Sequence, residues 1–308
     1  MTPPVQEQRA PRTTRPFTLT TSDGARLRAL EDGAPDAPLT VVLLHAWTMA
    51  SSSWDRVVDG LVRENPGTVR ILRFDLRGHG SSDPAPEGQA GIERCADDLA
   101  ELISTETSGP VVLGGHSMGG MTIMALAERH PRLVAERVSG LALLATSSGE
   151  LAEPHYRLPS PAAAALNRGE RALRPRLASI RGARLSGRSR WLEPAMRWLV
   201  FGRRPHRDDV AHSAELVAAC HPGNLAGYRA SLAEHDRTGA LARFRDVPVV
   251  LLAGVRDRLC PREHATTISK ALPEAEFYVY PGAGHMLPWE RTTEVTARLN
   301  ALVRSAAL

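Results

Sequence analysis

Hydrophobic positions along this chain change period several times, and the changes mark its elements. Alternating apolar residues at 17–20 and 25–30, joined through Ser22-Asp23-Gly24, predict a β-hairpin. Thr40-Val41-Val42-Leu43-Leu44 is a nearly continuous apolar run, the pattern of a strand buried on both faces. From 53 to 64 the apolar residues recur at helical spacing, at Trp54, Val57, Val58, Leu61 and Val62. The rhythm continues with a strand at 69–75, a helix at 91–106, a strand at 110–114, a helix at 118–130 and a strand at 140–145. It then stops: from 148 to 240 there are amphipathic helical stretches and no strand signal. A strand at 247–254, a helix at 262–272, a strand at 276–280 and a helix at 290–305 resume it. Strands of this kind alternating with helices argue an α/β architecture, a mostly parallel central sheet with helices on both faces. The expected core is therefore 17–147 with 241–308, interrupted by a helical insertion at 148–240. Residues 1–16, rich in Pro, Thr and Arg without an apolar cluster, are expected to be a disordered tail.

Composition narrows the function classes. Of 308 residues 43% are apolar, enough for a sizeable core. The net charge is +4, and of the 38 basic residues only Lys270 is a lysine. Thirteen arginines fall within 157–207. No compact basic run is interleaved with aromatics, which argues against nucleic acid. Cys95, Cys220 and Cys260 are scattered, with neither metal spacing nor a disulfide framework, so a reducing compartment and no metal or organic cofactor are expected. The first residues carry no signal-peptide or anchor pattern, and a cytoplasmic protein without a membrane span follows as the expectation. Oligomeric state is not legible.

The chemistry begins at Gly115-His116-Ser117-Met118-Gly119, set between an apolar strand and a helical pattern. G-x-S-x-G in that setting is a nucleophile elbow, a tight turn that holds the serine hydroxyl exposed at the carboxyl edge of a sheet. A serine hydroxyl is a poor nucleophile at neutral pH and needs a base, which in turn needs an orienting carboxylate. The elbow predicts the chain order Ser, acid, His, with the acid after a late strand and the His after the last one. Asp257 follows the strand at 247–254 and His285 follows the strand at 276–280, each in a loop rich in Gly or Pro. Ser117, Asp257 and His285 are thus the candidate catalytic residues, with Glu150 as an alternative acid. An oxyanion would need preplaced donors. The backbone N–H of Met118, at a helix N-terminus, and that of Trp47, in the loop after the first parallel strand, are the candidates.

With these residues in place, the chain resembles α/β-hydrolase fold serine hydrolases of the esterase, monoacylglycerol lipase and cofactor-free haloperoxidase group. Leu44-His45-Ala46-Trp47, Asp75-Leu76-Arg77-Gly78-His79-Gly80, the Ser117 pentapeptide with Gly120, Gly254-Val255-Arg256-Asp257 and Gly282-Ala283-Gly284-His285-Met286 carry the resemblance. It covers roughly 17–148 and 240–305 and implies that 148–240 is the family's variable helical cap. One departure stands out: Ala46 replaces the glycine that usually follows the histidine, and a Cβ there restricts the loop of the second donor. The Asp75 turn is expected to brace loops. Trp47, Met118, Trp191, Trp198 and Met286, with Met196 and Phe201, are the expected apolar substrate contacts. The activity implied is cleavage of a carboxylic ester, thioester or lactone of a largely apolar small molecule through an acyl-enzyme on Ser117. Perhydrolysis, acyl transfer and carbon–carbon bond hydrolysis use the same machinery and stay open. A non-catalytic ligand-binding protein on this fold is the alternative from another class.

Overall fold

The computed structural model describes residues 13–86, 88–153, 156–178 and 189–306, and the side chains of all of these except 174–178. Eight strands form one sheet in the order β1-β2-β4-β3-β5-β6-β7-β8. β1 (Arg15–Thr20) and β2 (Arg26–Gly33) make the antiparallel hairpin, and β2 pairs antiparallel with β4 (Val69–Phe74). β3 (Leu39–Leu44), β4, β5 (Val111–His116), β6 (Val138–Leu144), β7 (Val249–Gly254) and β8 (Glu276–Tyr280) are mutually parallel. The sheet is mostly parallel, as the apolar runs predict. The tail expected at 1–16 lies outside the described residues up to residue 12, and β1 begins two residues earlier than predicted.

Helices cover both faces. α1 (Asp55–Glu64) follows β3, α2 (Ile92–Glu106) follows β4, and α3 (Met118–Arg129) with α4 (Pro131–Arg137) follows β5. Between β6 and β7 the described chain is helical, with α5 (Ser160–Ala178), α6 (Glu193–Val200), α7 (Arg207–Ala219) and α8 (Pro222–Glu234). α9 (Arg262–Ala271), the single turn α10 (Leu287–Glu290) and α11 (Thr292–Ala306) complete the chain. Successive residues of a strand point to opposite faces, and β3 divides accordingly. Val42 and Leu44 join a core with Leu99, Ile103, Met124 and Leu126 of α2 and α3, while Val41 and Leu43 join one with Trp54, Val58, Val295 and Leu299.

Boundaries shift where local chemistry intervenes. Residues 51–54 form a 3₁₀ turn, so α1 starts at Asp55 rather than at 53. β7 starts at Val249, after Pro248, which has no N–H to give a ladder. The last helix divides at Arg291 into α10 and α11. α4 was not predicted, although Pro131 at its first position is a helix-start signal.

The turn after β4 is a brace. Asp75 accepts the N–H groups of Ser51 (2.8 Å) and Ser81 (2.9 Å), tying the loop after β3 to its own. The wholly buried Arg77 guanidinium grips Asp98 of α2 (2.6 and 2.8 Å) and Asp23 of the hairpin turn (2.7 Å). Among the described residues no helix is long and apolar enough to cross a membrane.

Two outcomes follow for stability. Arg77→Met leaves the buried Asp98 carboxylate to Arg94 (3.1 Å) and should cost about 3 kcal/mol in urea unfolding, much of it recovered in R77M/D98L. Burial pushes five histidines down: His79 to about 3 and His235 to about 4, with His45, His116 and His264 also below the ordinary value. Unfolded histidines titrate near 6.5. Between that pH and the folded values the unfolded chain binds more protons, so stability is full above about 6.5 and declines as pH falls. Unfolding free energy at pH 5 should be lower than at pH 7 by roughly 2 kcal/mol for each of His79 and His235.

Candidate active site

Ser117 joins β5 to α3 at φ 52° and ψ −117°, a backbone conformation that L-residues rarely adopt. Its neighbours are glycines for steric reasons. A Cβ at Gly115 would lie 2.5 Å from the Gly120 nitrogen, and one at Gly119 would lie 2.5 Å from the Leu44 carbonyl oxygen. The turn is pinned by the Ser117 N–H on the Leu144 carbonyl (2.9 Å) and by the Thr146 hydroxyl on the Ser117 carbonyl (2.7 Å). Ser117 is 8% exposed and faces a cavity, and among the described residues its Oγ makes no hydrogen bond. Serine–histidine bonds are often long in unliganded enzymes and tighten with substrate.

His285 stands on the loop after β8 and faces the same cavity. Its Nδ1 is 2.8 Å from Asp257 Oδ2, in the loop after β7. Asp257 is wholly buried, and its Oδ1 accepts the N–H groups of Leu259 (2.8 Å) and Cys260 (2.9 Å). Both carboxylate oxygens are thus engaged, and the Asp257 contact fixes a proton on Nδ1 and leaves Nε2 as the acceptor. Glu150, the alternative acid, is exposed, and its charge acts on His264 instead.

The His285 loop is docked against the end of α6. The His285 N–H donates to the Val200 carbonyl (2.8 Å) and the Arg203 N–H to the Gly282 carbonyl (2.7 Å). Glu290 accepts N–H groups from Gly202 (2.8 Å), Gly284 (3.0 Å) and Met286 (3.2 Å), although burial holds its carboxyl above the ordinary range. The approach is close enough to require glycine, because a Cβ on Gly284 would lie 2.5 Å from the Gly202 nitrogen. His116 adds a bond from Nε2 to the His285 carbonyl (2.8 Å). Sequence reasoning missed Glu290, for which no motif gave a signal.

Of the oxyanion candidates, Trp47 lines the cavity and Met118 directly follows Ser117, which does. Met118 is the first residue of α3, so its N–H has no intrahelical acceptor. Trp47 lies in a turn closed by the Met49 N–H on the Ala46 carbonyl (3.0 Å). The positive φ of that turn belongs to Thr48 (67°) and not to Ala46, so the alanine costs the loop no backbone strain. His45 supports it from below: its Nε2 accepts the Leu76 N–H (2.9 Å) and its Nδ1 bonds the Ala46 carbonyl (2.8 Å).

The cavity measures about 380 Å³. Trp47, Met121, Met196, Leu199, Leu225 and Met286 give it an apolar wall, with a polar corner of Tyr156, Glu170 and Arg229. Four expected substrate contacts are corrected here. Met118 is wholly buried in the core beside the sheet, and Met121, one turn on, faces the cavity in its place. Trp191 and Trp198 are 63% and 40% exposed and are absent from the cavity wall. α6 turns Met196, Leu199 and Val200 inward, which puts Trp198 on the opposite side, over the Arg258 guanidinium at 5.2 Å. Phe201 packs behind the wall against Trp289. Trp47 and Met286 do line the cavity. Leu151, Leu225 and the polar corner were not foreseen.

The chain resembles known proteins along most of its length. It is 28% identical over 249 residues to a pimeloyl-[acyl-carrier protein] methyl ester esterase of Chromobacterium violaceum, covering 80% of this chain and 86% of the relative. It is 27% identical to epoxide hydrolase A of Mycobacterium tuberculosis, covering 91% and 95%. A thermophilic esterase from Thermogutta terrifontis superposes with a TM-score of 0.73 at 25% identity, over 95% of this chain and 99% of that one. Residues 41–299 match the profile of the Alpha/beta hydrolase family, and the chain is a hydrolase that belongs to that family.

Proposed function

We propose that the protein is a serine hydrolase that cleaves a carboxylic ester of a largely apolar small molecule through an acyl-enzyme on Ser117. The observation that carries this reading is the Asp257–His285 contact, with His285 and Ser117 facing one apolar cavity. Ser117 Oγ attacks the ester carbonyl carbon and passes its proton to His285 Nε2. The N–H groups of Met118 and Trp47 take the charge that develops on the carbonyl oxygen. The alcohol leaves with the proton from His285. A water then repeats the sequence on the acyl-enzyme and frees the acid. Asp257 holds the imidazole tautomer and stabilises the imidazolium formed in each step. The segment 148–240 acts as the cap that shapes the substrate pocket.

A fluorophosphonate probe should form an adduct on Ser117 that is absent in Ser117→Ala. Labelling elsewhere, or none in folded protein, would sink the assignment. Ser117→Ala and His285→Ala should each lower ester turnover by roughly 10³-fold or more, and the double variant should lose little further, because the groups act as a unit. Additive losses would count against it. The apolar wall should favour medium acyl chains over acetate in a series of p-nitrophenyl esters, and Met196→Trp should slow the longer esters while sparing acetate.

A further inference from the structure

The surface around the cavity has a composition that ester cleavage does not require. Among the described residues, the large hydrophobic side chains exposed to solvent are Leu166, Leu173, Trp191 and Trp198, at 45%, 52%, 63% and 40%. All four belong to the segment between β6 and β7, and within it to α5, α6 and the turn before α6. The same stretches, 157–173 and 189–207, carry eight arginines, every one exposed, against Glu170 and Glu193. Their net charge is +6 in a chain whose total is +4.

The helices that carry these residues also wall the cavity. Leu166, Glu170 and Leu173 are spaced i, i+4, i+7 and share one stripe of α5, and Glu170 of that stripe lines the cavity. Trp198 adjoins Leu199, which also lines it. Arg168 and Arg171 flank the leucines, and Arg190 and Arg197 flank the tryptophans. Arg171 is shared with Glu153 at 2.8 Å. The two helices that wall part of the cavity thus also present an exposed rim of apolar side chains among exposed arginines.

We propose that this rim docks on an anionic lipid surface, with Leu166, Leu173, Trp191 and Trp198 entering the acyl boundary and the arginines meeting the head groups. Tryptophan and long cationic side chains suit that boundary, where one end of the side chain is apolar and the other wet. Affinity in this mode adds buried apolar area to charge attraction, and each arginine near such a surface is worth roughly a five-fold gain in partition. A soluble acidic protein would satisfy the arginines but would not account for the four exposed apolar side chains set among them.

The test is sedimentation of the full chain with vesicles of phosphatidylcholine, alone or with phosphatidylglycerol, read also by tryptophan fluorescence. Binding should require phosphatidylglycerol, weaken with added salt and bring a blue shift. R190E/R197E should weaken binding by roughly 25-fold or more, one factor of five for each arginine removed. L166S/L173S should weaken it without changing its salt dependence. Circular dichroism and the melting temperature confirm that both variants fold. Equal binding to the two vesicle types, no binding to either, or wild-type binding by both folded variants would overturn the proposal. Retention on immobilised polyglutamate without vesicle binding would overturn it in favour of an acidic macromolecule. None of these readouts depends on turnover, so they stand apart from the hydrolase assignment.

Discussion

The serine turn at φ 52° is the constraint around which the rest is arranged. A conformation of this kind costs of order 1–3 kcal/mol and persists only where its surroundings over-determine it. They do so from three sides. β6 supplies the Leu144 carbonyl and the loop after β6 supplies the Thr146 hydroxyl. α3 begins at the next residue and runs so close to β3 that Gly119 has no room for a Cβ. Strand order matters for the same reason: β5 sits between β3 and β6 in the middle of the sheet, so its end is flanked by loops that can support the turn.

Histidine placement depends on a different kind of support. The His285 loop is extended chain after the edge strand β8, which by itself would be loosely held. Backbone bonds to Val200 and Gly282, and the Glu290 carboxylate across Gly202, Gly284 and Met286, fasten it to the end of α6. A carboxyl group fits here because three N–H donors converge and its two oxygens can accept from all of them. The imidazole position is therefore coupled to the insertion as well as to the sheet. α8 roots that insertion in the core, where Tyr228 reaches the Arg77 carbonyl and Asn224 makes a two-way bond with Ala85.

The sheet and the three polar residues were legible because their signals are unambiguous. A strand buried on both faces reads as an apolar run whichever face is considered, and Ser117, Asp257 and His285 follow from chain order at strand ends. Helices of the insertion gave only half of their information. Periodicity located a stripe through Trp191, Ala195, Trp198 and Leu199, but α6 begins at Glu193 and of these turns Leu199 alone to the cavity, beside Met196 and Val200. Which of two apolar stripes faces inward is set by what the helix packs against, and that is not a property of the helix. Met118 failed in the same way by one turn. Glu290 was invisible because its partners are backbone groups, which carry no sequence signature.

An amphipathic helix with two apolar stripes is costly in water unless both are used. α6 spends one stripe on the cavity and leaves Trp198 on the other, beside the Arg258 guanidinium. α5 does the reverse within one stripe, turning Glu170 to the cavity and Leu166 and Leu173 to solvent. Burying two tryptophans and two leucines inside the insertion would have been the ordinary way to stabilise so small a helical unit. The unit is instead anchored by α8, by the Glu290 clamp, by the Arg56–Asp209 ion pair on α7 (2.6 Å) and by the packing of Met196, Val200 and Val210 against Ala46, Met49 and Trp289. α5 and α6 therefore shape part of the cavity that Ser117 and His285 face and carry the exposed apolar surface of the insertion as well.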